Sequence, residues 1–362
     1  MEEQLQDGYD VVVVGGGAAG LNGALMLARS RRSVAVVDAG APRNAPAAGV
    51  HGLLARDGMA PGELLERGRA EVRRYGGHVA EGEVIGAWRD GDAFTVGLAD
   101  GRAVRARRIL VAAGLVDELP DIPGLAERWG RDVVHCPYCH GWEVRDRAIG
   151  VLATGPVPMA VHQAHLFRQL SASVVLLTNG RPAPTGDQAE ELAARGIRVV
   201  EGEVTAVEVA GDHIAGLRLA DGTLVAREAV AVAPRMRARA GFLAGLGLHP
   251  VEHAMGVGDH IPADAEGRTE VEGVWVAGNT TDLAAQVGAA AAAGAAAGAR
   301  INADLIAEDT RAALAAHRDP FSAEAQALLS GPASGGDRHG RAGSSEPSGP
   351  SAPEEPGDRE SV

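Results

Sequence analysis

Aromatic residues, cysteines and strongly hydrophobic segments are all scarce in this chain. Phe, Trp and Tyr make up 3% of its 362 residues, and two cysteines occur. Two cysteines cannot build the multiple-disulfide framework that stabilises small secreted domains. The most apolar long stretch, residues 283–301, is mostly alanine and glycine, which is too weakly hydrophobic to indicate a bilayer span. We therefore expect neither a disulfide scaffold nor a membrane protein.

Basic charge is scarce as well, since 34 Lys and Arg face 48 Asp and Glu and leave a formal net charge of -14. Nucleic acids and anionic membranes attract clusters of Lys and Arg, so neither is an expected partner. The N-terminal sequence MEEQLQDGYD leads directly into VVVV and lacks the basic and apolar regions of a signal peptide. We therefore expect a cytoplasmic protein, and in that compartment a close pair of cysteines is usually catalytic or metal-binding.

The order of the apolar segments predicts an α/β protein with two Rossmann-like dinucleotide-binding domains, one of which is split by the other. Residues 8–116 begin as strand, glycine-rich turn, helix and strand, and residues 117–239 contain a second strand–helix–strand unit whose helix is predicted over about 161–170. Residues 240–326 bring the buried strand GVWVAGN, where the first domain resumes. Residues 331–362 are dense in Ser, Pro and Gly and are predicted to form a disordered tail.

A glycine-rich turn joins the first predicted strand to the first predicted helix. Gly15, Gly17 and Gly20 have the G-x-G-x-x-G spacing in the strand–turn–helix context that this motif requires. In that order they allow a tight turn, close approach of the backbone to a pyrophosphate, and close packing of helix on strand, while the helix N-terminus offers amide donors to phosphate. Asp38 ends the next strand, where a carboxylate can accept hydrogen bonds from a ribose. The motif predicts a dinucleotide site, with an ordinary glycine-rich turn as the alternative, and does not distinguish FAD from NAD.

The strand GVWVAGN helps to distinguish FAD from NAD. It ends in Ala277, Gly278 and Asn279, and a helix of small residues is predicted to begin around Ala285 and Gln286. The arrangement resembles flavoproteins with two dinucleotide domains, in which this strand delivers a polar residue, usually Asp, to the ribityl chain and the next helix points at the flavin ring. Asn279 stands in place of that Asp and can still bond a hydroxyl. The resemblance implies FAD.

The segment HCPYCHGWE, residues 135–143, holds both cysteines and admits four interpretations. C-x-x-C-H matches covalent haem attachment, which normally follows export. Two Cys and two His within six residues suggest zinc, but such close neighbours cannot easily surround one tetrahedral ion, and no second pair exists. C-P-Y-C matches glutaredoxin-like redox helices, but no small thioredoxin-type domain is present. The remaining interpretation, a dithiol that faces a flavin, is the one we favour.

The chemistry of a dithiol requires a thiolate and a nearby acid or base. A C-x-x-C turn lowers the pKa of one thiol through backbone dipoles and the partner cysteine. Histidine has an unperturbed pKa near 6.5, so His140 can take a proton from a cysteine and return it. His135 is an alternative that is equally compatible with a structural role. The predicted catalytic residues are therefore Cys136, Cys139 and His140.

These blocks, in this order, resemble the low-molecular-weight thioredoxin reductases, class II of the FAD-dependent pyridine nucleotide-disulfide oxidoreductase family, over about residues 8–326. In that family an inserted NAD(P)-type domain carrying C-x-x-C splits the FAD domain. The resemblance implies that Cys139 lies next to the flavin, that Cys136 exchanges with substrate, and that the protein is a homodimer. The motifs and the resemblance together give the expected cofactor-binding residues: Gly15, Gly17, Ala18, Ala19, Gly20, Asp38, Arg43, Asn44, His51, Val84, Ala113, Gly114, Asn279, Asp282, Gln286 and Val287.

Two departures from the thioredoxin reductases point to a subgroup. His140 stands where they have Asp, and C-x-x-C-H-G-[YW]-E looks more like the dithiol oxidases of the gliotoxin and holomycin type, which use FAD and oxygen. The turn of the inserted unit, residues 154–158, has one glycine and two prolines, and Arg181 is a lone basic residue after the next strand. This turn argues against NADPH, although nonstandard loops also bind nucleotides.

We therefore expect a thiol/disulfide oxidoreductase in which a substrate dithiol exchanges with Cys136 and Cys139 and electrons pass to FAD and then to oxygen. The expected partner is a small dithiol molecule or a small redox protein. An NADPH-dependent thioredoxin-disulfide reductase is the alternative within the same family. A non-catalytic FAD-binding redox sensor is the alternative from another class.

Overall fold

The computed structural model describes residues 5–319 and 321, which contain nineteen strands and six α-helices. The strands are β1 (Gly8–Val14), β2 (Val34–Asp38), β3 (His78–Glu81), β4 (Val84–Asp90), β5 (Ala93–Leu98), β6 (Ala103–Val111), β7 (Leu115–Glu118), β8 (Val133–Val134), β9 (Ile149–Leu152), β10 (Val174–Leu177), β11 (Arg198–Val200), β12 (Val204–Ala210), β13 (His213–Leu219), β14 (Leu224–Ala226), β15 (Ala229–Val232), β16 (Arg235–Ala238), β17 (Val251–Glu252), β18 (Gly258–His260) and β19 (Val274–Val276). The helices are α1 (Ala18–Arg29), α2 (Pro61–Arg74), α3 (Pro137–His140), α4 (Val157–Phe167), α5 (Asp187–Ala194) and α6 (Val287–Arg318). Short 3-10 turns cover Ala126–Arg128, Gly241–Leu246 and Gly278–Thr280.

The large sheet has the order β3-β2-β1-β6-β5-β4, with β19 paired to β6. Its central strand β1 pairs in parallel with β2 and with β6. Val11 and Val13 pack into the core on one face of the sheet, and Val12 and Val14 pack into the core on the other. Because alternate side chains of a strand point to opposite faces, a strand covered on both sides must be apolar throughout. This burial explains the run VVVV.

A second parallel sheet, with the order β11-β10-β9-β15-β8, is formed by residues 133–232. Its β9-α4-β10 unit repeats the strand–helix–strand order of β1-α1-β2. The antiparallel strands β12, β13 and β14 form a separate small sheet. The predicted α/β fold with two Rossmann-like units is confirmed.

Two antiparallel strands, β7 and β16, carry the chain into and out of the second sheet, and Leu115 pairs with Ala238. Strand β19 then returns to the large sheet, where the Ala277 N–H donates to the Val111 carbonyl at 2.9 Å. This return brings the residues that follow β19 next to those that follow β6. The predicted tail at 331–362 lies outside the described residues.

Helix α4 runs over Val157–Phe167, so the predicted span of 161–170 is wrong by about one turn. The reason is the tolerance of a helix N-terminus for proline. Pro156 caps the helix and Pro158 lies in its first turn, where a missing N–H leaves no bond unmade.

The chain divides into two compact units, and the boundary lies after Leu305, within α6. The first unit contains every sheet described here. Among residues 5–319 and 321, none of the helices combines the length and the hydrophobicity that crossing a bilayer requires.

Candidate active site

A cavity of about 800 Å³ lies where the glycine-rich turn, the loop after β2, the cysteine motif and the start of α6 meet. Most of the residues predicted from the sequence line it: Gly15, Gly17, Ala18, Ala19, Asp38, Arg43, Asn44, His51, Ala113, Gly114, Cys136, Cys139, His140, Asn279, Gln286 and Val287. Three predicted residues lie elsewhere. Gly20 packs α1 against β1, Val84 packs against the core on one face of the large sheet, and Asp282 lines a smaller pocket of about 260 Å³.

The glycine-rich turn leaves no room for a side chain at its first two glycines. Gly15 has φ +106°, and a Cβ there would lie 2.3 Å from the Ala112 carbonyl oxygen. A Cβ on Gly16 would lie 2.6 Å from Asp38 Oδ2. Gly16 was not predicted, although the run GGG marks it. Helix α1 begins after Gly17 with no side-chain cap and no acidic residue in its first turn. Its first amide groups and positive dipole end are therefore available to an anion at the cavity.

Asp38 is fixed at the end of β2 by an ion pair. Arg69, on α2, donates from Nη2 to Asp38 Oδ2 at 2.9 Å, and the exposed fractions of the two side chains are 22% and 17%. The pair holds the carboxylate at the cavity wall, where it can accept hydrogen bonds from ribose hydroxyls.

Arg43 is held by two distant segments of the chain. It donates from Nε and Nη2 to the two carboxylate oxygens of Asp117, at 2.7 Å each, and from Nη1 to Asn279 Oδ1 at 3.3 Å. The Asn279 amide nitrogen in turn donates to the carbonyls of Asp282 and Ala285, both at 2.9 Å. Asn279 thus fixes Arg43 and the loop before α6, and it also lines the cavity. Asp117 also lines the cavity and was not predicted.

The two cysteines are free thiols whose sulfur atoms lie 2.7 Å apart, and the Cys139 thiol donates to Cys136 Sγ. Cys136 immediately precedes α3, and Cys139 lies within it. This hydrogen bond, helped by the backbone N–H groups of Tyr138 and Cys139 and by the charge of Arg43, lowers the pKa of Cys136 to about 7 against the effect of burial. The same bond, together with burial, raises the pKa of Cys139. The dithiol form therefore ionises at Cys136 while Cys139 keeps its proton.

The two histidines of the motif are both neutral near pH 7. Burial, with a smaller effect from Arg43, lowers the pKa of His135 to about 4. Burial also lowers the pKa of His140, opposed by the Glu143 carboxylate. His140 Nε2 is buried, and among the described residues no group bonds to it. A neutral imidazole with an unused ring nitrogen, lining the same cavity as both thiols, has the properties of a general base.

A loop residue, His51, links the two sides of this region. Its Nε2 lies 3.4 Å from Glu143 Oε1, and its Nδ1 lies 3.4 Å from Asp57 Oδ1.

Among residues 5–319 and 321, no three or more His, Cys, Asp or Glu side chains are grouped so as to hold a metal ion.

The turn of the second strand–helix–strand unit is closed by its own hydrogen bonds. Thr154 Oγ1 donates to the Ala233 carbonyl at 2.5 Å, and the guanidinium of Arg181 donates to the Thr154 carbonyl. Pro156 and Pro158 have no N–H groups. The second turn therefore lacks two of the backbone N–H groups that a turn of this length can offer to a phosphate.

Comparisons with known proteins show the family of the chain. Residues 9–297 match the family described as pyridine nucleotide-disulphide oxidoreductase. The chain is 36% identical over 248 residues to the thioredoxin reductase tcpT of Claviceps purpurea, covering 66% of this chain and 77% of tcpT. It is 31% identical over 287 residues to the thioredoxin reductase sirT of Leptosphaeria maculans, covering 75% and 86%. The crystal structure of HlmI is similar with a TM-score of 0.80 and 49% identity, covering 88% of this chain and 99% of HlmI.

Proposed function

The chain belongs to the pyridine nucleotide-disulphide oxidoreductase family and is an FAD-dependent thiol/disulfide oxidoreductase, and within that family we propose that it oxidises small dithiols to disulfides. The observation that carries this proposal is the difference between its two strand–turn–helix units. The first offers glycines and free helix amides to a dinucleotide, whereas the second has prolines and a carbonyl already bonded by Arg181. Electrons therefore enter from substrate thiols and not from NADPH.

The residues of the cavity fit FAD. A Cβ at Gly15 or Gly16 would collide with neighbouring atoms, so the backbone there stays bare for a pyrophosphate, with the N-terminus of α1 as its anion site. Asp38 is suited to the adenosine ribose and Asn279 to the ribityl chain. When bound, FAD supplies a two-electron acceptor for the dithiol.

The residues of the motif perform the exchange with substrate. In the oxidised enzyme, a substrate thiolate attacks Cys136 Sγ, the Cys136–Cys139 bond breaks, and Cys139 leaves with the electron pair as a thiolate. His140 takes the proton of the second substrate thiol, which then attacks the substrate sulfur joined to Cys136 and closes the product disulfide. Cys136 leaves as a thiolate, which the backbone N–H groups of Tyr138 and Cys139 and the charge of Arg43 help to stabilise.

Anaerobic mixing of the purified holoenzyme with dithiothreitol or with NADPH tests the direction of electron flow. We expect the dithiol to bleach the flavin absorbance, NADPH at micromolar concentration to leave it unchanged, and admitted oxygen to restore it. The Cys139→Ser variant is the control for direct reduction of flavin by the dithiol. Rapid bleaching by NADPH would overturn the proposal.

An NADPH-dependent thioredoxin reductase is the second candidate, and the names of tcpT and sirT favour it. Under that hypothesis NADPH bleaches the flavin and a thioredoxin is reduced in turn. A non-catalytic FAD-binding redox sensor is the third candidate, and it predicts that Cys139→Ser still binds its partner, whereas an enzyme loses all turnover.

Several finer features belong to the same proposal. Residues 8–116 and 240–326 form the FAD domain and residues 117–239 form the inserted domain. The protein works as a homodimer in the cytoplasm, without nucleic acid or membrane partners. Light scattering coupled to size-exclusion chromatography measures the oligomeric state, and a monomeric mass would contradict this part of the proposal.

A further inference from the structure

The Arg43–Asp117 ion pair lies in the wall of the cavity that holds the cysteines. Asp117, on β7, has a side chain 7% exposed, and that of Arg43 is 27% exposed. The paired hydrogen bonds to Asp117 and the third bond to Asn279 restrict the planar guanidinium to one orientation. A cation fixed in this way does not have to reorient when a negative charge develops near it, so the free energy of reorganisation is small.

A negative charge does develop in this cavity during the exchange proposed above. While both thiols are reduced, the Cys139 thiol donates to Cys136 Sγ, and this contact keeps the proton on Cys139. Once Cys136 is joined to substrate, Cys139 carries the electron pair of the broken bond. Burial penalises an isolated thiolate, so Cys139 then needs a counter-charge other than its partner cysteine.

The ionisable groups that line the cavity with the thiols come from several segments. They are Asp38, Arg43, His51, Asp117, His135, Tyr138, His140, His162 and Arg239. His135 and His140 are held neutral by burial. The charge of Arg43 lowers the pKa of both thiols, whereas Asp117 acts on His135. The guanidinium lines the same cavity as both sulfur atoms and is a positive charge that acts on both.

We infer that Arg43, positioned by Asp117, is the electrostatic partner that stabilises the Cys139 thiolate while Cys136 is joined to substrate. This inference rests on the proposed exchange and adds to it a residue outside the cysteine motif. Lowering the basicity of a leaving thiolate speeds thiol–disulfide exchange. Arg43 thus promotes the first step of that exchange.

The test uses the fact that the chain has two cysteines. In Cys136→Ser holoenzyme, Cys139 is the one remaining thiol, and its rate of alkylation by iodoacetamide against pH, followed by mass spectrometry, gives its ionisation midpoint. Adding Arg43→Gln is expected to raise the midpoint by about half a unit or more, which slows alkylation at pH 7 by about threefold or more. Arg43→Lys is expected to recover at least half of the shift, because the charge remains while the paired hydrogen bonds do not.

Arg239→Gln is the matched control, because Arg239 lines the same cavity but donates to the Ala41 carbonyl. It is expected to leave the midpoint unchanged. An unchanged midpoint in Arg43→Gln, an equal shift in Arg239→Gln, or a lysine variant as impaired as the glutamine variant would each overturn the inference. If Arg43→Gln fails to fold, the lysine variant still decides, since a shift of about one unit or more with the charge retained contradicts the inference.

Flavin content and thermal unfolding are recorded for every variant, so that loss of cofactor is not mistaken for a change in the thiol. Alkylation requires no turnover and no electron donor. If NADPH proves to be the donor, the proposed function fails while the Cys139 titration keeps its meaning.

Discussion

In the first strand–turn–helix unit, β1 leads through Gly15, Gly16 and Gly17 into α1, and in the second, β9 leads through residues 154–158 into α4. In both units the two strands pair in parallel, and the elements follow the same order. Both helices begin without a side-chain cap, but the first turn consists of glycines, while the second has prolines and a carbonyl bonded by Arg181. The topology places a turn at the end of the strand in each unit, but the backbone donors of that turn decide whether it can hold a phosphate.

The largest expected effect comes from adding one methyl group to a glycine of each unit. A Cβ on Gly20 would lie 1.8 Å from the Gly15 carbonyl oxygen, whereas a Cβ on Gly155 meets no atom within 4 Å. We expect Gly20→Ala to separate α1 from β1, to destabilise the fold by about 3 kcal/mol or more and to yield protein without flavin. Gly155→Ala should keep the flavin and the melting temperature. The ratio of flavin to protein absorbance and thermal unfolding measure both, and flavin retained in Gly20→Ala would remove the distinction between the turns.

The next effect concerns the cysteine motif, on the other side of the cavity. This side has ionisable side chains, whereas the first turn offers backbone groups. The pKa of His135 is lowered from 6.5 to about 4, chiefly by burial. Between these values the unfolded chain binds a proton that the folded chain does not, so stability falls as the pH falls through this window. The wild-type protein should therefore lose about 2 kcal/mol more than His135→Gln between pH 6.5 and pH 4.5. Urea unfolding at both pH values measures this, and equal losses would show that His135 is not buried in the neutral form.

A smaller effect is expected where the second strand of each unit ends. Asp38 ends β2 at the cavity, while Asn179 follows β10 and accepts a bond from the Val204 N–H at 3.0 Å. Asp38→Asn keeps the shape but weakens the acceptor and the pairing with Arg69, so we expect FAD affinity to fall about tenfold. Asn179→Ala, as the control, should leave FAD affinity unchanged. Reconstitution of apoprotein followed by flavin fluorescence gives both constants, and equal affinities for Asp38→Asn and wild type would exclude Asp38 from the site.

The same comparison shows which features the sequence predicts. The glycine-rich turn, Asp38 and the C-x-x-C motif depend on local rules, since turns, strand ends and short helices are encoded within a few residues. Their order along the chain was enough to predict the fold, and they all line the cavity except Gly20, whose contacts are with β1.

Other features depend on contacts between distant residues, and the sequence did not predict them. Asp117 meets Arg43 across 74 positions, through β7, whose pairing with β16 has no local signal. Val84, which was predicted to bind the cofactor, begins β4 at the edge of the large sheet and packs against the core. Register and strand order set both outcomes, and neither is readable from periodicity alone.

The smallest expected effect asks whether the second turn is closed by Arg181 or by its prolines. Arg181→Ala removes the donor to the Thr154 carbonyl, which lies at the surface, so we expect a change in the free energy of unfolding of about 1 kcal/mol or less. NADPH should still leave the flavin oxidised in anaerobic mixing, because Pro156 and Pro158 continue to lack the amide donors that a pyrophosphate needs. If NADPH instead bleaches the flavin of the alanine variant, Arg181 alone blocks a site that is otherwise able to bind the nucleotide. The two turns would then differ by one side chain, and the difference would no longer lie in their backbones.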